Sequence, residues 1–186
     1  MRQVVLQMSM SVDGFVAGRD GGLGGGDEHQ DVTSWKLASL SQVDTHIMGR
    51  ITYQQMAAYW PTATSGYATT MNETPKVVFS STLDRADWAD TRIARGDLPE
   101  EIAKLKREPG DDIMAHGGAR FVQALSRLHL IDEYRLVIAP IVLGEGQPMF
   151  AGLPAPLLLT LIDASTYPDG TAIHVYRPAS LPPRST

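Results

Sequence analysis

No cysteine occurs among the 186 residues. That absence excludes disulfides, thiolate zinc sites, iron–sulfur clusters and cysteine nucleophiles. Long apolar runs are also missing, and none approaches the roughly 18–20 residues of a membrane-spanning helix. Basic runs are absent: 16 Lys+Arg stand against 21 Asp+Glu, for a net charge of −5. Neither nucleic acid nor a membrane is therefore an expected partner. The five histidines, His29, His46, His116, His129 and His174, form no HExxH or other paired-ligand spacing, so no metal is expected. The first residues, MRQVVLQMSMSVDG, carry Gln and Ser where a signal peptide needs an apolar block. The expected location is cytoplasmic.

What is present reads as a folded domain. Hydrophobic residues make up 43% and charged residues 20%, too apolar for a disordered chain. The length fits a single domain, 1–186, with a compact core over about 2–178. Val4 to Met10 predicts a strand running into the turn at Asp13-Gly14. Gly18 to Asp31 holds six Gly in fourteen residues and predicts a mobile loop, either a plain surface loop or a lid. Ser34 to Val43 has helical apolar spacing, with Thr33 or Ser34 to cap it.

Further along, His46 to Met48 predicts a short strand, and Thr52 to Tyr59 a helix stopped at Pro61. Thr62 to Thr74 reads as a long polar loop, Lys76 to Leu83 and the neighbourhood of Ile93 as strands, and Pro99 to Glu108 as a charged helix. A strand over Ile113 to His116 enters Gly117-Gly118, and an amphipathic helix over Phe121 to Leu130 follows. Arg135 to Leu143 is apolar enough for a strand buried on both faces. Leu157 to Ser165 and Thr171 to Arg177 flank Tyr-Pro-Asp-Gly, a hairpin signal. Strands alternating with helices, then a hairpin, predict an α/β layered domain with a mostly parallel central sheet and an antiparallel C-terminal hairpin.

One device occurs twice. His46-Ile47-Met48-Gly49-Arg50-Ile51-Thr52 reads as strand, Gly, helix start, and Ile113-Met114-Ala115-His116-Gly117-Gly118-Ala119-Arg120 reads the same way. A helix start offers unpaired N–H groups and a positive dipole end, Gly lets a phosphate come close, and Arg adds charged donors. Two such turns suit a ligand with more than one phosphate. Neither is a Walker sequence or a GxGxxG fingerprint.

The wording of these segments resembles the dihydrofolate reductase superfamily, most closely the C-terminal reductase domain of the bifunctional riboflavin-biosynthesis deaminase-reductase and its stand-alone relatives. The stretches that carry the resemblance are SMSVDGFVAG, IMGRITYQQM, MNETPKVVFSSTL, DIMAHGGARFVQAL and LIDEYRLVIAPIVLGEGQPMF, in order over nearly the whole chain. It implies a dihydrofolate reductase-like three-layer fold, NADPH as cofactor and a small-molecule substrate. It also implies a homodimer, with Leu130 to Leu143 as a candidate subunit contact. Gly49, Arg50 and Thr52 are the implied phosphate contacts, with Ser80 and Ser81 beside the adenosine 2′-phosphate. Gly117, Gly118, Ala119 and Arg120 are implied at the pyrophosphate, with a cis bond between Gly117 and Gly118. Ala119 stands where relatives usually have a third Gly.

His116 and Pro140 are the expected substrate contacts, with the Gly144-Glu145-Gly146-Gln147 loop beside them. Asp31 is the candidate catalytic acid, because Asp31-Val-Thr-Ser-Trp35 loosely resembles the segment that carries the reductase carboxylate; Asp27 and Glu28 are its rivals. The implied activity is hydride transfer to 5-amino-6-(5-phosphoribosylamino)uracil or a similar ribosylamino-pyrimidine phosphate. The alternatives are a dihydrofolate reductase-type pterin reductase and a non-catalytic nucleotide-binding protein. The deaminase half of the bifunctional enzyme needs an H-x-E and P-C-x-x-C zinc set, for which this chain has no cysteine.

Overall fold

Val4–Ser11 forms strand β1 in the computed structural model, which describes residues 1–24 and 29–179. Its side chains alternate between two buried layers. Leu6 points with Val4 into a core shared with Ile102, Leu105, Val122 and Leu125. Val5 points the other way, into a core with Leu40, Tyr53, Met71 and Trp88. A strand with both faces covered needs a near-continuous apolar run, which is why Val4-Val5-Leu6 is legible as one.

The other strands are β2 (Phe15–Ala17), β3 (Val43–Gly49), β4 (Lys76–Phe79), β5 (Thr91–Ala94), β6 (Asp112–Ala115), β7 (Glu133–Ala139), β8 (Gln147–Pro148), β9 (Leu159–Thr166) and β10 (Ala172–Pro178). The helices are α1 (Gln30–Leu40), α2 (Arg50–Tyr59), α3 (Tyr67–Glu73), α4 (Leu98–Arg107) and α5 (Ala119–Arg127). Eight strands form one sheet in the order β5-β4-β3-β6-β1-β7-β10-β9, parallel except for β10, which runs antiparallel to both β7 and β9. Helices α1 to α3 contribute to the core on one face and α4 and α5 to that on the other, giving the expected three layers and C-terminal hairpin. Among the described residues no helix is long and apolar enough to cross a membrane.

Several local expectations are corrected. The loop expected through Asp31 ends sooner, because the His29 side chain accepts the Asp31 N–H at 3.2 Å and caps α1 there; neither Thr33 nor Ser34 is the cap. The supposed loop over Thr62 to Thr74 contains α3. Lys76, only 1% exposed, explains this: its Nζ donates to the carbonyls of Met71, Asn72 and Thr74 at 3.1, 2.8 and 2.8 Å and lies 4.5 Å from the Trp88 ring centre. All three ammonium hydrogens thus close the C-terminus of a short helix. Strand β4 stops at Phe79 instead of reaching Leu83, because Ser80 Oγ accepts the N–H groups of Thr82 and Leu83 at 3.2 and 2.9 Å and turns the chain.

Strand β7 has β1 on one side and β10 on the other, so it offers no free edge for the subunit contact expected around Leu130 to Leu143. The free edges belong to β5 and β9. A small second sheet, β2 with β8, is new. Asp13 supports it: its carboxylate accepts from Ser11 Oγ at 2.6 Å and from the N–H groups of Leu143 and Gly144 at 3.1 and 2.7 Å. Those donors hold its pKa below the usual carboxylate value.

Candidate functional site

Strands β3 and β6 are neighbours, so the turns that follow them lie side by side. Gly49 leads from β3 into α2, and His116-Gly117-Gly118 leads from β6 into α5. Neither helix start receives a side-chain cap, whereas α1 and α4 are capped by His29 and Asp97. Two sets of helix-end amides are therefore left for a ligand. Thr52 Oγ1 donates to the Gly117 carbonyl and locks the two turns together.

The space around the glycines is tight, most demandingly at Gly118. A Cβ on Gly117 would lie 2.5 Å from Met8 Cε, one on Gly118 2.6 Å from Thr52 Oγ1, and one on Gly49 3.3 Å from Phe121 Cβ. Gly118 also has φ +112°, a value side-chain-bearing residues rarely adopt. The expected cis bond at Gly117–Gly118 is not found; among the described residues every peptide is trans. The chain reverses there through the positive φ of Gly118.

Two cavities meet at this point. One, of about 600 Å³, is walled by Gly49, Thr52, Gly118, Ala119, Gly146 and the Gln147–Pro148 strand β8. The other, of about 630 Å³, is walled by Ser80, Ser81, Thr82 and Arg95. Arg50, Arg120 and Phe121 line both, so the pair forms one groove across the ends of the strands. Arg50 and Arg120 are exposed and make no hydrogen bond or ion pair among the described residues. In a chain of net charge −5, two unpartnered guanidiniums at two open helix starts create a local anion site. Phe121 stacks on Phe79 at 5.3 Å between ring centres and supplies the apolar floor.

The remaining candidates are dispersed. His116 follows β6 directly and is hydrogen-bonded through Nε2 to His46 Nδ1 at 2.8 Å. Burial pushes His46 down to about 2, with the charges of His116 and Lys76 adding to it, and burial pushes His116 down to about 4. Both rings are neutral at pH 7. Asp31 stands in the first turn of α1 with its side chain 68% exposed, 3.6 Å from His29 Nδ1, and lines neither cavity. Its rivals Asp27 and Glu28 lie outside the described residues. Pro140 is exposed beside Gly170 in the β9–β10 turn and also lines neither cavity. Among the described residues no three His, Asp or Glu are grouped to hold a metal ion.

Ser80 and Ser81 do reach the groove, but the Ser80 hydroxyl oxygen already organises its own turn. Sequence reasoning missed Thr82, Arg95 and Phe121 in the wall, and missed His46 as the partner of His116. Only the last had a readable signal: two histidines near the ends of strands that each precede a Gly turn.

The sequence matches the family described as RibD C-terminal domain over residues 2–175. The chain belongs to that family. Among its curated relatives, the uncharacterized protein YyaP of Bacillus subtilis is 31% identical, over 94% of each chain. YwjB of the same organism is 28% identical over 95% of this chain and 98% of its own. Among solved structures, a putative riboflavin biosynthesis protein from Shewanella superposes with a TM-score of 0.80 at 24% identity, over 97% of this chain and all of its own. The Thermotoga maritima diaminohydroxyphosphoribosylaminopyrimidine deaminase/5-amino-6-(5-phosphoribosylamino)uracil reductase gives 0.68 at 14% identity, over 96% of this chain and 57% of its own. Dihydrofolate reductase from Enterococcus faecalis, in complex with NADP(H), gives 0.64 at 13% identity, over 96% of this chain and 97% of its own. The fold of this RibD C-terminal domain protein is thus dihydrofolate reductase-like.

Proposed function

We propose that the protein is an NADPH-dependent reductase acting on a ribosylamino-pyrimidine phosphate or a similar small polar substrate. The observation that carries the reading is the pair of uncapped helix starts at Gly49 and Gly118, joined by Thr52 and flanked by the unpartnered Arg50 and Arg120. Such a groove suits a dinucleotide, whose phosphates need backbone N–H groups and charged donors together. The bound cofactor would supply the hydride.

The chain's own part is placement. Gly49 and Gly118 line the groove without a Cβ, and the α2 and α5 amides with Arg120 would hold the pyrophosphate. Arg50, with Ser81 and Thr82, faces the 2′-phosphate at the other end of the groove. His116, beside the Gly-Gly turn, offers a neutral ring to the substrate. A homodimer through the free edge of β9 is part of this reading, supported by exposed Leu161 and Ile162 on that strand.

One observation favours a pterin reductase instead: Asp31 is held on a helix and not in a loop, as a carboxylate that orients a pterin must be. Its high exposure and its absence from the groove walls weigh the other way. The deciding experiment follows NADPH oxidation with 5-amino-6-(5-phosphoribosylamino)uracil and with dihydrofolate in parallel. The pyrimidine rate is expected to be the higher. A faster dihydrofolate rate, abolished in Asp31→Asn, overturns the substrate assignment. No oxidation with either, alongside tight NADPH binding, leaves a nucleotide-binding protein.

A further inference from the structure

His46 is wholly buried in β3, and among the described residues its ring's hydrogen bond is the one between Nδ1 and Nε2 of His116, with ring centres 4.6 Å apart. A single proton occupies the bond between these two neutral rings, and two arrangements are possible. In one, His46 Nδ1 donates, leaving His46 Nε2 as a bare lone pair and His116 with its proton on Nδ1. In the other, His116 Nε2 donates, leaving His46 with its proton on Nε2 and His116 with a bare Nδ1.

The surroundings of His46 Nε2 decide between them. This atom is sealed from solvent and has no partner at full hydrogen-bond geometry. A bare lone pair here needs a donor. The nearby cation, Lys76, cannot be one, because its three hydrogens are committed to the carbonyls of Met71, Asn72 and Thr74. The backbone group that favours a proton on this ring is the Thr70 carbonyl; with Nδ1 taken by His116, Nε2 is the nitrogen left for it. A carbonyl oxygen attracts an N–H and repels a lone pair.

We infer that His46 is a positioning residue that holds His116 with its proton on Nε2, so that His116 presents Nδ1 as a hydrogen-bond acceptor. His116 Nδ1 has no partner among the described residues and is not among the sealed polar atoms, so it keeps some contact with solvent, although His116 is in the wall of neither cavity described above. This rests on the proposed reading in which His116 meets the substrate. It adds that the meeting group is a donor, an N–H or O–H, as an amine or hydroxyl of a polar heterocycle would be. A carbonyl acceptor in the same place is disfavoured.

The test is a long-range ¹H–¹⁵N correlation spectrum of the full chain labelled with ¹⁵N-histidine at pH 7, with His116→Gln used for assignment. Both rings are expected to be neutral and protonated at Nε2, each with its Nδ1 in the unprotonated range. A His116 spectrum with the proton on Nδ1, or a cationic ring at either position, overturns the inference. In His46→Asn, His116 is expected to lose its single tautomer and to show averaged nitrogens; a His116 still fixed with Nε2 protonated also overturns it. Should that variant fail to fold, the wild-type spectrum decides alone. These readouts do not depend on turnover. A correct tautomer in a protein that oxidises no NADPH would count against the proposed function and leave His46 in its role.

Discussion

Gly117 and Gly118 are adjacent, yet they should respond differently to the same added methyl. In Gly118→Ala the new residue must hold φ +112°, which costs on the order of 1–3 kcal/mol. Its Cβ also stands 2.6 Å from Thr52 Oγ1, so the hydroxyl cannot keep its bond to the Gly117 carbonyl. Losing that bond adds about 1 kcal/mol. Together these come to roughly 2–4 kcal/mol, and at about 2–4 °C per kcal/mol for a chain of this size Tm should fall by roughly 4–16 °C. In Gly117→Ala the backbone is compatible, and the clash is with Sδ and Cε of Met8, the far end of a flexible thioether. That end can turn aside, so the cost should stay within about 1 kcal/mol. Thermal unfolding by circular dichroism compares the two, and calorimetry should show NADPH binding weakened at least about tenfold in Gly118→Ala. Equal losses in both variants, or a Gly118→Ala protein melting within about 2 °C of wild type, would refute the argument.

Arg50→Ala should weaken NADPH binding by about tenfold or more and leave NADH nearly unchanged, since one charge-assisted contact is worth about 1.5–3 kcal/mol; calorimetry with both cofactors is the check. The His46–His116 pair makes stability depend on pH. Both pKa values are lowered on folding, so the contribution is complete above the ordinary value of 6.5 and is lost as pH falls toward about 4 for His116 and about 2 for His46. At pH 5 the loss should be about 2 kcal/mol per ring, read as a fall in the urea midpoint between pH 7 and 5. Glu101 and Glu133, whose pKa values are lowered by their basic partners against burial, weaken the fold only below the ordinary glutamate value of 4.5, so this window isolates the histidines. Asp13→Asn should loosen the β2–β8 sheet, seen as faster amide exchange at Leu143 and Gly144; unchanged exchange at both would count against the role given to that carboxylate.

The parts legible in the sequence are those whose cause is local. Strand, Gly and helix start at Gly49 and at Gly117-Gly118 are set within a few residues, and the buried run Val4-Val5-Leu6 declares itself by composition. What stayed hidden depends on partners far along the chain. Helix α3 is closed by Lys76 beneath Trp88, a buried ammonium that no helix propensity foretells. Strands β2 and β8 are three and two residues long and find each other only in three dimensions. The start of α1 was hidden for another reason: its cap is a histidine, outside the usual Ser, Thr, Asp and Asn set. The groove wall repeats the pattern, since Arg95 and Thr82 meet only because β4 and β5 are paired.

Strand β1 leaves the ribosome before the strands it pairs with and is among the last to be satisfied. Its neighbours β6 and β7 lie far downstream, so the side-chain contacts that fix its start join residues 109 and 128 positions apart. Until synthesis passes Ala139, Val4, Val5 and Leu6 have no complete place in a sheet. A chain with so much non-local pairing folds slowly and exposes an unpaired apolar strand meanwhile. A nascent chain stalled within α5 should therefore hold β1 open to chaperones, and the groove should form only when the C-terminal third has been made.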